Sequence, residues 1–143
     1  MEFLTAESRR VWVPNHPTLA YAPGRVEEVE NGMLLVIDDE GGKFTVPQAE
    51  AQSVDPAALS GVDDLLLLGD FNEAALLHNI RVRYGEDKIY TGIGSPILIS
   101  INPYQTIADM YSSSTKQAYR RAGAARAAGQ KAGPPTHLYT IAD

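Results

Sequence analysis

The stretch Phe71–Tyr104, FNEAALLHNIRVRYGEDKIYTGIGSPILISINPY, constrains the fold more than any other part of the chain. Two helix-start signals overlap at its beginning. Asp70 and Glu73 have the spacing of a capping box, and Phe71 and Leu76, around Asn72 as cap, have that of a hydrophobic staple. At about 100° per residue, Leu76, Leu77, Ile80 and Tyr84 form one apolar stripe. Ala74, Ala75, His78 and Val82 form a second, small-residue face, with Asn72, Asn79 and Arg83 as a narrow polar strip between them. A helix apolar on two sides is expected to pack between layers. Residues 92–96 read as a turn and lack the G-x-x-x-x-G-K-[ST] spacing of a phosphate loop. Residues 97–101, ILISI, show no alternation, which predicts a strand buried on both faces. Asn102-Pro103 ends it, because proline offers no ladder donor. Asn102 and Tyr104 are thereby placed at the carboxyl end of a buried strand, where α/β proteins hold ligands. An amide can read a base edge, and Pro103 and Tyr104 offer flat apolar surface. Unaided, these residues support a purine pocket and a plain structural turn alike.

The first half has a different texture. Val11-Trp12-Val13 reads as a strand stopped by Pro14, and residues 25–29 as a second strand with a polar face. Asn31-Gly32 is a strong hairpin signal. Residues 33–37 form an apolar strand, and residues 38–42 a second hairpin loop. Lys43–Val46 is the return strand, ended by Pro47. Short strands at such spacing predict a small antiparallel barrel over residues 9–54. Trp12, Val26, Leu35, Ile37, Phe44 and Val46 are the expected core. Trp12 has the alternative role of an exposed, peptide-binding aromatic. Residues 1–8 read as a disordered terminus.

Residues 55–70 read as a linker. Asp55 is placed to cap a short helical turn with Pro56 at its first position, and Gly61 ends it. Residues 62–68, VDDLLLL, fit either a helix or a strand, with Asp63 and Asp64 read as N-terminal caps. As paired catalytic or metal carboxylates they lack a third ligand at suitable spacing. His78 and His137 likewise lack a metal partner and read as structural, His78 as a hydrogen-bonded core histidine. Arg81 and Arg83 read as ion-pair partners of Glu86, Asp87 or other acidic neighbours, against a phosphate-binding role. Ser112–Thr115 is placed to cap a short helix, and AGAARAAGQKAGPP, residues 122–135, reads as a mobile basic loop.

Charge separates the two ends of the 143 residues. Residues 1–111 carry 7 basic and 17 acidic side chains, whereas residues 112–143 carry 5 and 1. An acidic body argues against a nucleic-acid partner, which needs a basic footprint. The absence of cysteine excludes a disulfide framework and a thiolate metal site. No apolar run is long enough to cross a bilayer, and the N-terminus shows no secretory h-region. A soluble intracellular chain is expected.

The ordered pattern Asn72-Glu73-Ala74, Leu77-His78-Asn79, Arg83-Tyr84, Asp87 and Ile89-Tyr90-Thr91 closely resembles the opening of the myosin motor head. VWVP at 11–14 and KFTVP at 43–47 resemble the SH3-like subdomain that precedes many such heads. Pro134-Pro135 through Asp143 resembles the family's helix start before the phosphate-binding loop, with Thr136 inserted ahead of His137. The resemblance implies a mixed fold: a small antiparallel SH3-like β-barrel over residues 9–54, the linker, then helix–strand–helix elements over residues 71–143 from the start of a P-loop NTPase-type α/β motor domain. It implies that Asn102, Pro103 and Tyr104 line the adenine side of an ATP pocket. Tyr111 matches a later pocket tyrosine with one residue inserted, and Ser95 is a further extra residue.

The same resemblance implies an N-terminal part of an actin-based, ATP-driven motor in the cytoplasm. ATP with Mg²⁺ would be its cofactor, actin filaments its partner, and light chains or calmodulin would bind a neck outside this sequence. The P-loop lysine and the hydroxyl that hold phosphate and Mg²⁺ are absent from residues 1–143, so the segment alone is expected to be non-catalytic and to bind ATP poorly. Two other readings remain at this stage: a free-standing SH3-like module that binds a peptide, and a motor-like pseudoenzyme with a degraded P-loop.

Overall fold

Strand β1 (Arg10–His16) is the wall between two cores. Successive side chains of a strand point to opposite faces. Val11 and Val13 therefore enter one apolar cluster with Val26, Leu34, Val36 and Val46. Trp12 enters the other, with Ala58, Leu65, Leu68, Ala74 and Ala75. In the computed structural model, which describes residues 9–69, 71–94, 97–128 and 134–142, Trp12 is 2% exposed. That excludes the exposed peptide-binding role. The expected disordered residues 1–8, the Asp70 capping box and the extra Ser95 lie outside the described residues.

The first cluster is wrapped by a curled antiparallel sheet of order β1-β2-β3-β4, a half-barrel. Its strands after β1 are β2 (Ala20–Glu30), β3 (Met33–Asp38) and β4 (Lys43–Pro47). Asn31 and Gly32 take φ of 49° and 76° between β2 and β3, the left-handed pair that a tight hairpin turn requires. Asp38 shapes the next loop by accepting from Glu40 N at 3.0 Å and Gly42 N at 2.6 Å. His16 Nε2 donates to Asp38 Oδ2 at 3.0 Å, and this bond holds the Asp38 carboxyl below the usual range. The other edge of β1 is lined by residues 52–54, through Trp12 N to Gln52 O at 2.9 Å and Val54 N to Arg10 O at 3.0 Å.

Three expectations for this half need correction. Pro14 does not stop β1. The strand runs on to His16, with an irregularity between Pro14 and His16. The inward residues of β3 are Leu34 and Val36, while Leu35 and Ile37 are only half-buried. The run MLLVI is apolar at every position, so its pattern could not say which face is inward. Pairing across the sheet decides it, since Gly24 faces Val36 so closely that an added Cβ would lie 2.4 Å from Val36 Cγ1. Phe44 is half-buried and only flanks this cluster.

The second half begins as expected with α1 (Pro56–Ser60). Asp55 caps it by accepting from Ala57 N, and Gly61 ends it at φ 79°. Residues Leu65–Leu67 form a 3₁₀ turn capped by Asp64, which accepts from Leu66 N and from Gly94 N, each at 3.0 Å. Helix α2 (Glu73–Gly85) starts at Asn72, whose side chain accepts from Ala75 N. Strands β5 (Tyr90–Ile93) and β6 (Ile97–Ser100) make a two-stranded antiparallel sheet. Helices α3 (Ser113–Ala127) and α4 (Leu138–Ala142) follow.

Helix α2 keeps only part of the expected faces inward. Its buried residues are Ala74, Ala75, Asn79 and Arg83, whereas Leu76, Leu77 and Ile80 are half-buried and Tyr84 is exposed. The polar strip goes inward because every buried polar group on it finds partners. Asn79 accepts from Val62 N at 2.6 Å and donates to Val62 O at 3.0 Å. Arg83 donates to Thr91 Oγ1 at 2.9 Å, Tyr90 O at 2.8 Å and Asp63 Oδ1 at 2.9 Å. Asp63 thus anchors Arg83 and caps nothing, while Glu86 pairs with Lys88. Arg81 donates to the Leu19 carbonyl at 2.9 Å and pairs with no acidic neighbour among the described residues. His78 lies against Trp12, ring centroids 5.2 Å apart, and its Nδ1 has no hydrogen-bond partner among the described residues. Burial, reinforced by the Arg81 charge, lowers its pKa.

Two further corrections concern the later elements. Strand β6 is not buried on both faces: Ile97 is 57% exposed, and the rest of the strand is half-buried or exposed. The expected mobile loop begins as helix, since α3 continues through Ala127. Alanine has the highest helix propensity, and an alanine-rich run after a Ser112 cap carries the helix past Gly123. Residues 129–133 lie outside the described residues.

Candidate functional site

After β6 the backbone makes one more sheet-like bond, Ile101 N to Ile89 O at 3.0 Å. It then turns at Asn102-Pro103. Three contacts hold this turn. Asn102 Oδ1 accepts from Tyr104 N at 2.8 Å, an Asx-type turn. Tyr84 Oη, at the end of α2, donates to Pro103 O at 3.2 Å. Gln105 Nε2 donates to Asp87 Oδ1 at 3.1 Å. Tyr104 is thereby fixed in the left-handed region at φ 53°, a backbone state that tyrosine adopts only when its surroundings impose it. The residue is 88% exposed. Asn102 is exposed as well, and its amide NH₂ is free to donate to a base edge.

Tyr111 is held apart from that turn, in an aromatic cluster. Its hydroxyl is hydrogen-bonded to that of Tyr90. Its ring lies edge-on to His137 at 5.4 Å and to Tyr139 at 6.0 Å, and it remains 52% exposed. No hydrogen bond or ring contact joins Tyr104 to Tyr111 among the described residues. The structure therefore brings Asn102, Pro103 and Tyr104 together on one turn and seats Tyr111 on a second support.

The second support is built around His137. Its ring contacts Tyr139 at 4.5 Å, Tyr90 at 4.8 Å and Tyr119 at 4.9 Å. Tyr119 Oη donates to Pro135 O. Burial pushes the Tyr90 hydroxyl up to about 12, helped by its bond to Tyr111, and burial likewise raises Tyr119. These phenols are neutral at physiological pH, so the surface offers neutral π faces and hydrogen bonds. That chemistry suits an uncharged planar ring. Thr136 N donates to Asp63 Oδ1 at 3.0 Å, and Thr136 Oγ1 donates to Asp63 Oδ2. Asp63 thus ties the start of α4 to Arg83 and β5.

Sequence reasoning read His137 as structural, which agrees with its bond to Tyr139 N at the start of α4, but missed Tyr90 and the Asp63–Arg83–Thr136 tie. The only local signal was the spacing of Asn79 and Arg83, four residues apart on one helix face. Nothing near residue 63 in sequence announces residue 136. Among the described residues, no group of three or more His, Asp or Glu side chains is placed to hold a metal ion. None of the helices is long and apolar enough to cross a membrane.

Known proteins are similar to this chain along most of its length. The pattern of the family described as myosin head (motor domain) matches residues 62–143. The unconventional myosin heavy chain 6 of Caenorhabditis elegans is 34% identical over 143 residues, 98% of this chain and 6% of that protein. The unconventional myosin-VI of Sus scrofa is 34% identical over 140 residues, 96% of this chain and 10% of its own. The unconventional myosin-VIIb of Mus musculus is 37% identical over 123 residues, 84% of this chain and 5% of its own. The chain spans a tenth or less of the length of these curated relatives. With a match over more than half of its residues, the chain belongs to the myosin head (motor domain) family.

Proposed function

We propose that this chain is part of an actin-based, ATP-driven motor and supplies the adenine side of its nucleotide pocket through Asn102, Pro103, Tyr104 and Tyr111. In this reading residues 9–54 are the SH3-like unit, 55–70 a linker and 71–143 the opening of a P-loop-type α/β motor domain that works on cytoplasmic actin filaments. The observation that carries the proposal is the exposed Tyr104 ring, pinned by a three-point turn within the segment that matches the family. An exposed aromatic with no role in the chain's own core is suited to stack on a base.

ATP fits these residues only at its base. The sequence holds no G-x-x-x-x-G-K-[ST] run, so phosphate and Mg²⁺ would be held by other parts of the motor, where ATP supplies the phosphoryl chemistry. The residues present would orient the purine and shield it from water. Base stacking on an aromatic is worth about 1–3 kcal/mol. Replacing Tyr104 with Ala in the ATP-hydrolysing protein that contains this chain is expected to raise KM for ATP roughly tenfold with kcat little changed. Unchanged KM for both Tyr104→Ala and Tyr111→Ala would remove the adenine assignment.

A further inference from the structure

The neighbours of Tyr111 point to one residue. Met110, just before it in the chain, has its carbonyl within 3.0 Å of His137 Nε2. The other ring nitrogen, His137 Nδ1, accepts from Tyr139 N at 3.0 Å. An acceptor at Nδ1 places the proton on Nε2, which therefore donates to Met110 O. One neutral imidazole thus holds the Tyr111 backbone by a hydrogen bond and backs the Tyr111 ring at 5.4 Å. It also ties both to the first turn of α4.

We propose that His137 is the positioning residue for Tyr111, and that it acts only as the neutral imidazole with its proton on Nε2. A second proton would sit on Nδ1, opposite the Tyr139 N–H, where two donors meet and the bond is lost. Among the described residues, the groups facing the ring supply no compensating charge. They are the phenol rings of Tyr90 from β5, Tyr111, Tyr119 from α3 and Tyr139 from α4. Asp63 reaches Thr136, the preceding residue, but is already paired with Arg83. Protonation therefore drives out either the ring or the start of α4, and each loosens Tyr111. Burial lowers the His137 pKa despite the opposing bond to Met110. The clamp is accordingly intact above the ordinary histidine range and is lost as pH falls through the lowered folded-state value.

Histidine nitrogen shifts and fluorotyrosine resonances of the chain test this, with the Tyr111 signal assigned by its loss in Tyr111→Phe. At neutral pH, His137 is expected to show the Nε2–H tautomer. On acidification the Tyr111 signal should move with the His137 midpoint, and that midpoint should lie below the value of a free histidine. His137→Gln can still donate to Met110 O, so Tyr111 should stay near its native shift and lose the acid step. His137→Phe keeps a ring without the bond and should displace Tyr111 at every pH. A Tyr111 signal that stays still through the His137 titration, or that is native in His137→Phe, overturns the proposal. The significance of the clamp for nucleotide rests on the adenine reading, but no readout here involves nucleotide. A failed clamp leaves that reading untouched, and a failed KM test leaves the clamp.

Discussion

The curled sheet and the α2–β5–β6 region both have an apolar cluster, but they differ in how much polar bonding the buried side chains carry. The sheet closes on Val11, Val13, Val26, Leu34, Val36 and Val46, with the buried His16–Asp38 pair at its margin beside Phe44. Around α2 the innermost side chains include Asn79 and Arg83, and much of the apolar surface stays outside. Apolar burial is non-directional and accepts any partner of suitable size, at about 25 cal/mol per Å². A buried amide or guanidinium has to find named donors and acceptors, or it costs several kcal/mol. The sheet is thus a self-sufficient core. The second region adds to its apolar cluster a set of specific polar bonds, in which the Val62 and Tyr90 backbones and the Thr91 hydroxyl are each held by one side chain of α2. That arrangement leaves Leu66, Leu67, Phe71 and Ile97 exposed.

Single substitutions can break this contrast. Leu34→Ala, in the apolar cluster, is expected to cost about 3 kcal/mol in urea unfolding, the usual range for a buried leucine. A loss well under 1 kcal/mol would show that the sheet core relaxes to fill the hole and is not tightly packed. Asn79, at 0% exposure, is the matching test for the polar region. Asn79→Ala leaves Val62 N–H and C=O without partners and should cost roughly 2 kcal/mol. Hydrogen exchange should show the 61–69 segment opening first. If that segment stays protected, the amide is not what pins it. The smallest effect belongs to the exposed apolar residues: Ile97→Ser should change stability by less than about 0.5 kcal/mol. A larger loss would mean that β6 buries more in solution than its 57% exposure implies.

The hairpins, the caps at Asp55, Asn72 and Ser112, and the break at Gly61 were legible in the sequence because each depends on residues within a few positions. A cap side chain reaches its own helix, and an Asn-Gly pair sets its own φ. The inward residues of β3 were not legible, because an apolar run carries no alternation. Nor were the buried residues of α2. Asn79 and Arg83 read as a polar strip between two apolar faces, and partners 17 and 20 residues away in Val62 and Asp63 make their burial favourable. The tail was misread for the reverse reason: its low complexity suggested a loop, although alanine is a strong helix former.

At the candidate site the same division holds. The Asn102-Pro103-Tyr104 turn is legible in part, since an asparagine side chain closing on the residue two positions ahead and a proline ending a strand are local, whereas its contacts with Tyr84 and Asp87 are made only in the folded chain. Its family resemblance was legible for the same reason, as an ordered run of neighbours. The placement of Tyr111 was decided by tertiary structure alone. It depends on Tyr90, 21 residues earlier, and on His137, 26 residues later, with Met110 O bridging to the same ring. Sequence sets what a residue can bond. Which of those bonds forms at long range depends on whether the desolvated partner is delivered to it, and only the packed chain does that.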